Sequence, residues 1–480
     1  LLGLKHTVTP IVCLRPRSIT KDVAICVTPC PQALMFGGWL TQGGPHSVPF
    51  VTGLLASKED GLDNELVTSM AAAGNRGAWP GNCHRDIMHA LNPTRTETIP
   101  ELCTVMIHMK DNAGDISLKP HPVLLPHQVA WSLEKHFPTA FPELSGCHRA
   151  DSWWRDQGHN PNMADHPMLH RPGWRGRALP IECFGDGAKF TDVTSLYTIA
   201  WAFKLGRGKQ WATKYVFSCI PKAACVSAHG INTLDEIWEH FSRSLLALWL
   251  GKHPDLDTGG NPWPPGSLGH RLAGQDILNE SRFCVLWDIL GDLDHHCNVL
   301  HLPHYATPSP CWLCRANRTD MNFLDWRPEA PWRATLVTPE EAQAAPPRHF
   351  PLFRILHVSG VTDLNVRPGP MHTIELGVLL YLHGGTLRTF VDAATTTIPG
   401  NSREKRLRVV WTRIQDLYTA LKVQRRIPYL SLNKFWPDKT TDFPVLKAKA
   451  AASKDLVVVM IELCKEYSTG EPFDMHRIAT

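Results

Sequence analysis

Short apolar runs separated by polar or glycine-rich breaks dominate the middle of the chain. Three of them are bounded by Gly, Pro, Asp or charged residues, as β-strands usually are: Leu179–Phe184, Ser195–Phe203 and Lys214–Val226. A fourth run, Phe283–Leu290, is apolar almost throughout, which is typical of a largely buried strand. The pattern predicts three consecutive strands followed, after an interval, by another strand.

A helix is predicted between the third and the fourth strand. Residues 232–236 offer an N-cap and a capping box, and apolar residues then recur at Ile237, Phe241, Leu245 and Leu248. Helices are also predicted over 124–135, 371–383, 402–423 and 445–467. The chain therefore reads as mixed α and β structure with a helical C-terminal part.

A chain of 480 residues exceeds what one hydrophobic core usually organises, so several units are expected. Compositional breaks predict four regions: an irregular or partly disordered N-terminal region (1–115), a small helical subdomain with a linker (116–177), a mixed α/β core (178–337) and a helical C-terminal region (338–480).

The overall composition narrows the class of protein. With 43% hydrophobic and 20% charged residues the chain is globular, and a net charge of +4 leaves nucleic-acid contacts to local patches. Fourteen irregularly spaced cysteines indicate free thiols in a reducing compartment. The apolar runs fall short of the roughly 18 residues that span a bilayer, so no membrane segment is expected.

Because the chain begins at Leu1 without a leader, we expect a fragment whose targeting signal is missing.

Two acidic residues follow predicted strands. Asp186, flanked by Gly185 and Gly187, closes the first strand, and Asp292 closes the fourth. Two-metal phosphodiester cleavage needs carboxylates that converge on Mg²⁺ or Mn²⁺, and flanking glycines would let a phosphate approach the backbone. An alternative interpretation is an ordinary Gly-Asp-Gly turn at Asp186 and a helix cap at Asp292.

Cys311 and Cys314 have the spacing of half a zinc site, and several histidines precede them. A complete site would combine Cys311 and Cys314 with His301 and His304. Buried free thiols are the alternative interpretation.

A predicted helix places His372 and Glu375 on one face, three residues apart, where either could orient a ligand or complete an acidic site. The same stripe of residues on this helix face continues through Leu376, Leu379 and His383. The alternative interpretation is that this stripe packs into the hydrophobic core and that its polar residues lie at the edge of the core.

The strongest basic cluster surrounds Trp411 and Tyr418 and is a candidate nucleic-acid-binding surface. Its cations are Arg403, Lys405, Arg406, Arg408, Arg413, Lys422, Arg425 and Arg426. A solvated helix face with salt bridges gives the same pattern.

The order of these motifs resembles a known family. The series comprises Gly185-Asp186-Gly187, Gly291-Asp292-Leu293-Asp294, Pro310-Cys311-Trp312-Leu313-Cys314, Ala330-Pro331-Trp332-Arg333, Met371-His372 and the segments 121–127 and 443–450. It looks like the uncharacterised multicopy proteins of dinoflagellate genomes, which are similar, more distantly, to DDE transposases of the CACTA type. The likeness extends over residues 80–465 and depends on motif order.

The resemblance implies a ribonuclease-H-like mixed sheet with a Cys-x-x-Cys insert, and DNA strand transfer as the ancestral reaction. In such a sheet the first and fourth strands are neighbours, so Asp186 and Asp292 would meet across the sheet. Asp186 and Asp292 match the first two acidic positions of the transposases. Where their third motif has Asp, this chain has Gly369, and Glu375 is the substitute considered. A lost ligand would leave a two-metal site ill-matched to its ions, so the resemblance is also compatible with lost activity.

Two hypotheses follow. The first is a transposase-like protein that cleaves and transfers DNA strands with Mg²⁺ or Mn²⁺, using Asp186, Asp292 and Glu375. The second is a non-catalytic protein, stabilised by structural Zn²⁺, that binds nucleic acid or another protein. The first predicts DNA as a partner; a nuclear location, no membrane association and a homo-oligomer fit either hypothesis.

Overall fold

The computed structural model of the chain describes residues 10–12, 25–27, 102–189, 195–208, 213–304, 306–325, 327–392, 398–436 and 442–467. The chain divides into two compact units, Leu1–Arg367 and Pro368–Thr480. The first unit thus extends past the boundary that the sequence suggested at residue 337. Each unit is described by itself below.

The strands of the described residues all lie in the first unit or end at its boundary. They are β1 (Pro10–Val12), β2 (Ile25–Val27), β3 (Cys103–Lys110), β4 (Ile116–Val123), β5 (Ala178–Lys189), β6 (Ser195–Phe203), β7 (Lys214–Pro221), β8 (Ser227–Ala228), β9 (Ile231–Asn232), β10 (Phe283–Gly291) and β11 (Val366–Pro368).

Helices occur in both units. The α-helices are α1 (Pro126–His136), α2 (Phe141–Ser145), α3 (Ala150–Asp156), α4 (Trp174–Arg177), α5 (Thr233–Leu250), α6 (Leu268–Leu272), α7 (Leu293–Asn298), α8 (Pro339–Ala344), α9 (Pro351–Leu356), α10 (Leu379–Asp392), α11 (Arg403–Ala420) and α12 (Ala450–Tyr467). A π-helix, Met371–Val378, leads directly into α10. Short 3₁₀ turns include Lys222–Ala224, Pro331–Thr335 and Asp363–Asn365.

The predicted mixed α/β class is confirmed. Described residues form a five-stranded sheet in the order β11-β10-β5-β6-β7, in which β5, β6 and β7 are antiparallel neighbours and β10 runs parallel to β5. The four predicted strands and the helix between the third and fourth are all present, with ends shifted by a few residues. The third strand ends at Pro221 rather than Val226.

A hairpin lies where sequence analysis placed an irregular region. Strand β3 (Cys103–Lys110) pairs antiparallel with β4, and the buried Val105 and Ile107 alternate with more exposed neighbours. Strand β4 carries Pro120 and Pro122, which a strand tolerates only where the nitrogen faces away from its partner. Strand β3 lies in the region predicted to be irregular (1–115), and β4 lies in the region predicted to be a small helical subdomain with a linker (116–177), so both predictions are wrong for these strands. The prolines obscured the strand pattern of β4.

One face of the sheet carries the core of the first unit. The paired residues Cys183 and Trp201 share this face and are fully buried. Helix α5 packs over it, with the ring of Phe241 centred 4.9 Å from that of Phe217 in β7. Asn232 caps α5 by accepting from the backbone N–H groups of the next turn, as its sequence predicts. Burial of this apolar face fixes the register of the strands that carry the candidate site.

The second unit contains α10, α11 and α12 around a separate apolar core that includes Leu387, Val410 and Leu456. Gly384 in α10 packs against the backbone of Pro444, where an added Cβ would lie 2.5 Å from the Pro444 carbonyl oxygen. A glycine is therefore needed for this close approach. Within the described residues, no helix combines the length and the apolar character needed to cross a membrane.

Substitution of Asn365 tests how β11 is attached to the sheet. Asn365 is buried, and its Nδ2 donates to the carbonyl oxygens of Trp287 (3.1 Å) and Leu286 (3.4 Å), where the β10 ladder is irregular. We expect Asn365→Leu to lower the free energy of unfolding by about 1–3 kcal/mol because buried carbonyls lose their partner. Urea denaturation measures this, and the exposed Asn298→Ala serves as the control. Equal stability of the two variants would contradict the assignment.

Buried histidines predict how stability depends on pH. Burial lowers the pKa of six histidines of the first unit from 6.5 to about 3 or 4: His121, His127, His166, His253, His295 and His296. Near pH 5 these histidines are protonated in the unfolded chain but remain neutral in the folded chain. The free energy of unfolding therefore falls as pH drops below 6.5.

Removing one of these groups gives a quantitative check. His121 Nε2 is hydrogen-bonded to Ser218 Oγ at 2.8 Å, and a glutamine amide can occupy the place of Nε2. We expect His121→Gln to reduce the pH dependence of unfolding between pH 6.5 and 5 by up to about 1.4 kcal/mol per pH unit, the limiting value for one proton. Urea titrations at several pH values measure the slope, and a slope equal to that of the unsubstituted chain would refute the prediction.

Candidate acidic site at paired strand ends

The pairing of β5 with β10 brings the two candidate acids to the same edge of the sheet. The strands run parallel, and Gly291 lies opposite Gly185 in the register. Asp292 and Asp186 are the next residues along each strand direction. Adjacent strands lie about 4.8 Å apart, so the two residues are neighbours across the sheet despite their separation in sequence.

Asp186 lies inside β5 rather than at its end. The strand continues to Lys189, and Asp186 pairs with Thr198 of β6, so the prediction that it closes the strand and the alternative of an ordinary turn are both wrong. Its side chain is exposed and shares a sheet face with Glu182 and Phe184. The carboxylate therefore projects from a regular, well-paired backbone.

Asp292 is both a strand-end residue and a helix cap. It follows β10 directly, and its Oδ1 accepts a hydrogen bond from the backbone N–H of His295 at 2.6 Å, which caps α7. The two interpretations of the sequence are thus compatible. Oδ2 of Asp292 has no hydrogen-bond partner among the described residues, and the side chain is half-buried.

Tyr197 and His295 lie beneath the two acids. The Tyr197 hydroxyl is hydrogen-bonded to His295 Nδ1 at 2.8 Å, and both side chains are buried. Burial raises the pKa of Tyr197 well above its usual value, and the charges of Asp186 and Asp292 raise it further. Burial, with a contribution from His296, lowers the pKa of His295 to about 3. The pair is therefore neutral near pH 7 and adds no charge of its own next to the two acids.

The glycines beside the acids make room for other side chains. An added Cβ at Gly185 or at Gly291 would lie 2.2 Å from an atom of the His295 ring. An added Cβ at Gly187 would lie 2.2 Å from Lys222 Nζ. The sequence interpretation assigned Gly185 and Gly187 to phosphate approach, whereas the structure shows that they accommodate His295 and Lys222.

Lys222 is a candidate binding residue that sequence reasoning missed. It lies in the 3₁₀ turn after β7, its side chain is exposed, and no salt bridge joins it to any described residue. Its ammonium lies against Gly187, next to Asp186 in the chain. The only available signal was a lysine just after a predicted strand, which is too common to single out.

A second charged group occupies the same sheet face. Asp288 in β10 accepts a hydrogen bond from Lys204 Nζ, and its Oδ1 lies 3.6 Å from Arg367 Nε. Lys204 Nζ also lies 3.6 Å from Glu182 Oε2. Burial raises the pKa of Glu182 despite the attraction of Lys204. These four residues largely neutralise one another, so they stabilise the sheet rather than offer free charge.

The Cys-x-x-Cys pair is locally well formed. Cys311 Sγ accepts from the backbone N–H of Leu313 at 3.3 Å, and Cys314 Sγ accepts from that of Ala316 at 3.4 Å. Burial raises the pKa of Cys314, and the neighbouring Cys311 raises it further. The two thiols are therefore close together, as half of a metal site requires.

The histidines expected to complete that site have other partners. His301 Nε2 lies 3.1 Å from Asp235 Oδ1, at the start of α5, and His304 Nδ1 accepts from the backbone N–H of Ala306. Across the described ranges, no group of three or more His, Cys, Asp and Glu side chains is arranged to hold a metal ion. The structure therefore brings together the two cysteines but not the four predicted zinc ligands.

Glu375 belongs to the second unit. It lies in the π-helix, with its Oε1 3.5 Å from Lys454 Nζ of α12. His383, on the same stripe, is buried and hydrogen-bonded to the Ser453 carbonyl oxygen at 2.9 Å. The stripe therefore contributes to the core of the second unit, with Glu375 on its polar edge.

The basic cluster is divided between buried, paired and exposed cations. Arg406 is buried and donates to the carbonyl oxygens of Val391 and Gly400. The others with partners are Arg403, which binds Asp392, Arg413, which binds Glu466, and Arg426, which donates to the carbonyl oxygens of Tyr418 and Val423. The exposed cations whose side chains have neither an ion pair nor a hydrogen bond among the described residues are Lys405, Arg408, Lys422 and Arg425.

Comparison with protein-family models, with curated proteins and with solved structures finds no match for this chain. The geometry of the acidic site consists of two aspartates at neighbouring positions of the β5–β10 pair, with a neutral Tyr-His pair packed against the glycines that precede them.

Proposed function

We propose that this chain has a ribonuclease-H-like core and is a transposase-like protein whose Asp186 and Asp292 bind a divalent cation at a nucleic-acid phosphate. The single observation that carries the proposal is the register of β5 and β10, which makes the two acids neighbours. The strand order supports it, because three antiparallel strands followed by a parallel fourth strand are the expected ribonuclease-H-like arrangement.

The donor set fits a hard divalent cation in its chemistry. Mg²⁺ and Mn²⁺ prefer carboxylate oxygens, and the two acids have no compensating charge from the neutral His295 and Tyr197. Such a cation would polarise a phosphoryl oxygen and lower the pKa of bound water. Asp186 and the Oδ2 atom of Asp292 would hold it.

DNA strand cleavage and transfer is the reaction that this arrangement would serve. We propose Glu375 as the third acidic residue. Its Oε1 lies 3.5 Å from Lys454 Nζ, so this ion pair would have to open before the carboxylate could bind a cation.

A second candidate function is nucleic-acid binding without cleavage. It is favoured by the absence of a third acidic ligand around Asp186 and Asp292 within the part of the chain that the structure describes. In this case the fold and the cation site persist, and the exposed cations of α11 bind the phosphate backbone. The Cys311–Cys314 pair would contribute stability by binding Zn²⁺ together with ligands outside the two histidines considered above.

The cation site is tested by Mn²⁺ binding. We expect the chain to bind Mn²⁺, and Asp186→Asn and Asp292→Asn each to weaken binding at least tenfold, or about 1.4 kcal/mol. Asparagine is a favourable N-cap, so Asp292→Asn keeps α7 capped. The electron paramagnetic resonance signal of free Mn²⁺ measures the affinity.

Asp294→Asn is the matched control, since Asp294 is exposed and contacts Asn298 rather than the strand ends. Nicking of supercoiled DNA in Mg²⁺ or Mn²⁺ then separates the two candidate functions. Cation-dependent nicking that Asp186→Asn and Glu375→Gln both abolish supports the transposase-like reaction, whereas Mn²⁺ binding without nicking supports the non-catalytic function. Equal Mn²⁺ affinity in all variants would exclude the acidic site.

Nucleic-acid binding is tested by the exposed cations of α11. Lys405 and Arg408 are three residues apart and therefore lie on one helix face. We expect the double variant Lys405→Gln/Arg408→Gln to weaken duplex DNA binding, and to reduce the slope of log affinity against log salt by up to about 1.8, because two phosphate contacts are lost. Fluorescence anisotropy between 50 and 200 mM salt, about the range over which such slopes are resolved, measures both.

Arg413→Gln is the control for this experiment, since Arg413 is already paired with Glu466 through two hydrogen bonds. Its salt slope should equal that of the unsubstituted chain. If the double variant keeps the salt slope of the unsubstituted chain, α11 does not contribute to nucleic-acid binding.

A further inference from the structure

His295 connects three parts of the acidic site. Its backbone N–H donates to Asp292 Oδ1 at 2.6 Å, its ring Nδ1 is hydrogen-bonded to the Tyr197 hydroxyl at 2.8 Å, and its ring lies against both Gly185 and Gly291. One residue thus contacts the carboxylate of one acid and the backbone that precedes each acid.

The contacts with the two glycines are close on both sides. A Cβ at Gly185 would lie 2.2 Å from His295 Cε1, and a Cβ at Gly291 would lie 2.2 Å from His295 Cδ2. These distances are far below van der Waals contact, so the imidazole occupies the space beside the paired glycines. The ring therefore limits how β5 and β10 can move relative to each other at this point.

Tyr197 fixes the ring from below. It belongs to β6 and pairs with Gly187, two residues beyond Gly185 in β5. Its hydroxyl is buried, and the ring of Trp238 in α5 lies 5.8 Å from that of His295. The imidazole is therefore held by strand β6 on one side and by helix α5 on another.

We propose that His295, oriented by Tyr197, is a positioning residue that directs the Asp292 carboxylate and sets the separation of Asp186 and Asp292 for a divalent cation. The inference rests on the proposed cation site. Groups that orient the ligands of a metal typically change its affinity by about 10- to 100-fold when removed, although they do not touch the ion.

Three variants separate positioning from simple packing, with Mn²⁺ as the probe and the full chain as the protein. His295→Leu removes the hydrogen bond and is expected to weaken Mn²⁺ binding by about tenfold. His295→Asn keeps a polar atom at the same number of bonds from the backbone as Nδ1, so we expect it to restore most of the affinity. Tyr197→Phe deletes only one hydroxyl and is expected to weaken binding by a smaller factor.

Tyr215→Phe is the matched control, because Tyr215 is a buried tyrosine of the same sheet, in β7, stacked on Trp201 rather than on His295. Its Mn²⁺ affinity should equal that of the unsubstituted chain. The hyperfine spectrum of bound Mn²⁺ gives a second readout: Tyr197→Phe should broaden it by distorting the ligand geometry, and Tyr215→Phe should not. Thermal unfolding of each variant shows whether any loss of affinity follows general destabilisation.

The outcomes distinguish the inference from the proposed function. Loss of affinity in His295→Leu and Tyr197→Phe, with rescue in His295→Asn, supports the positioning role. If Asp186→Asn and Asp292→Asn abolish binding while His295→Leu and Tyr197→Phe leave it unchanged, the positioning role is overturned and the cation site stands. If the unsubstituted chain does not bind Mn²⁺, the cation site and the positioning role both fall.

Discussion

The parallel pairing of β5 with β10 is the contact on which the candidate site depends. Gly185 lies opposite Gly291, and the acids that follow them are neighbours only in this register. A slip of one residue would turn the side chains of one strand to the opposite face. The buried apolar face beneath α5 excludes such a slip, and the His295 ring between the glycines excludes bulkier residues at those positions. The packing of the core thus determines that the two acids are neighbours.

Much of this fold could be predicted from local patterns. The strands β5, β6, β7 and β10 are continuous apolar runs with polar ends, and α5 combines a clear cap with helical spacing. Their neighbour relations are different, because local patterns do not specify which strands pair. The expectation that the first and fourth strands are adjacent came from the implied fold, and the observed register agrees with it.

The rest of the site depends on contacts that sequence does not encode locally. His295 was one of several histidines near the cysteines, and nothing in its neighbours indicated a partner in β6. His301 was expected to bind zinc, but Asp235 lies far away in sequence and is its partner in space. The basic cluster shows the same limit, since the sequence gives the charge of Arg406 and Arg413 but not the carbonyl and carboxylate groups that engage them.

The prolines of β4 have a consequence for how the hairpin behaves in concentrated solution. Pro120 and Pro122 lie two residues apart, so both face the same outer side of the strand, and neither has an N–H group to donate there. Met106 and Leu118 expose apolar surface on this hairpin, which would otherwise favour addition of a strand from another molecule. At these two positions the outer edge lacks the donors that intermolecular β-pairing needs, so the prolines disfavour edge-to-edge aggregation of the hairpin there.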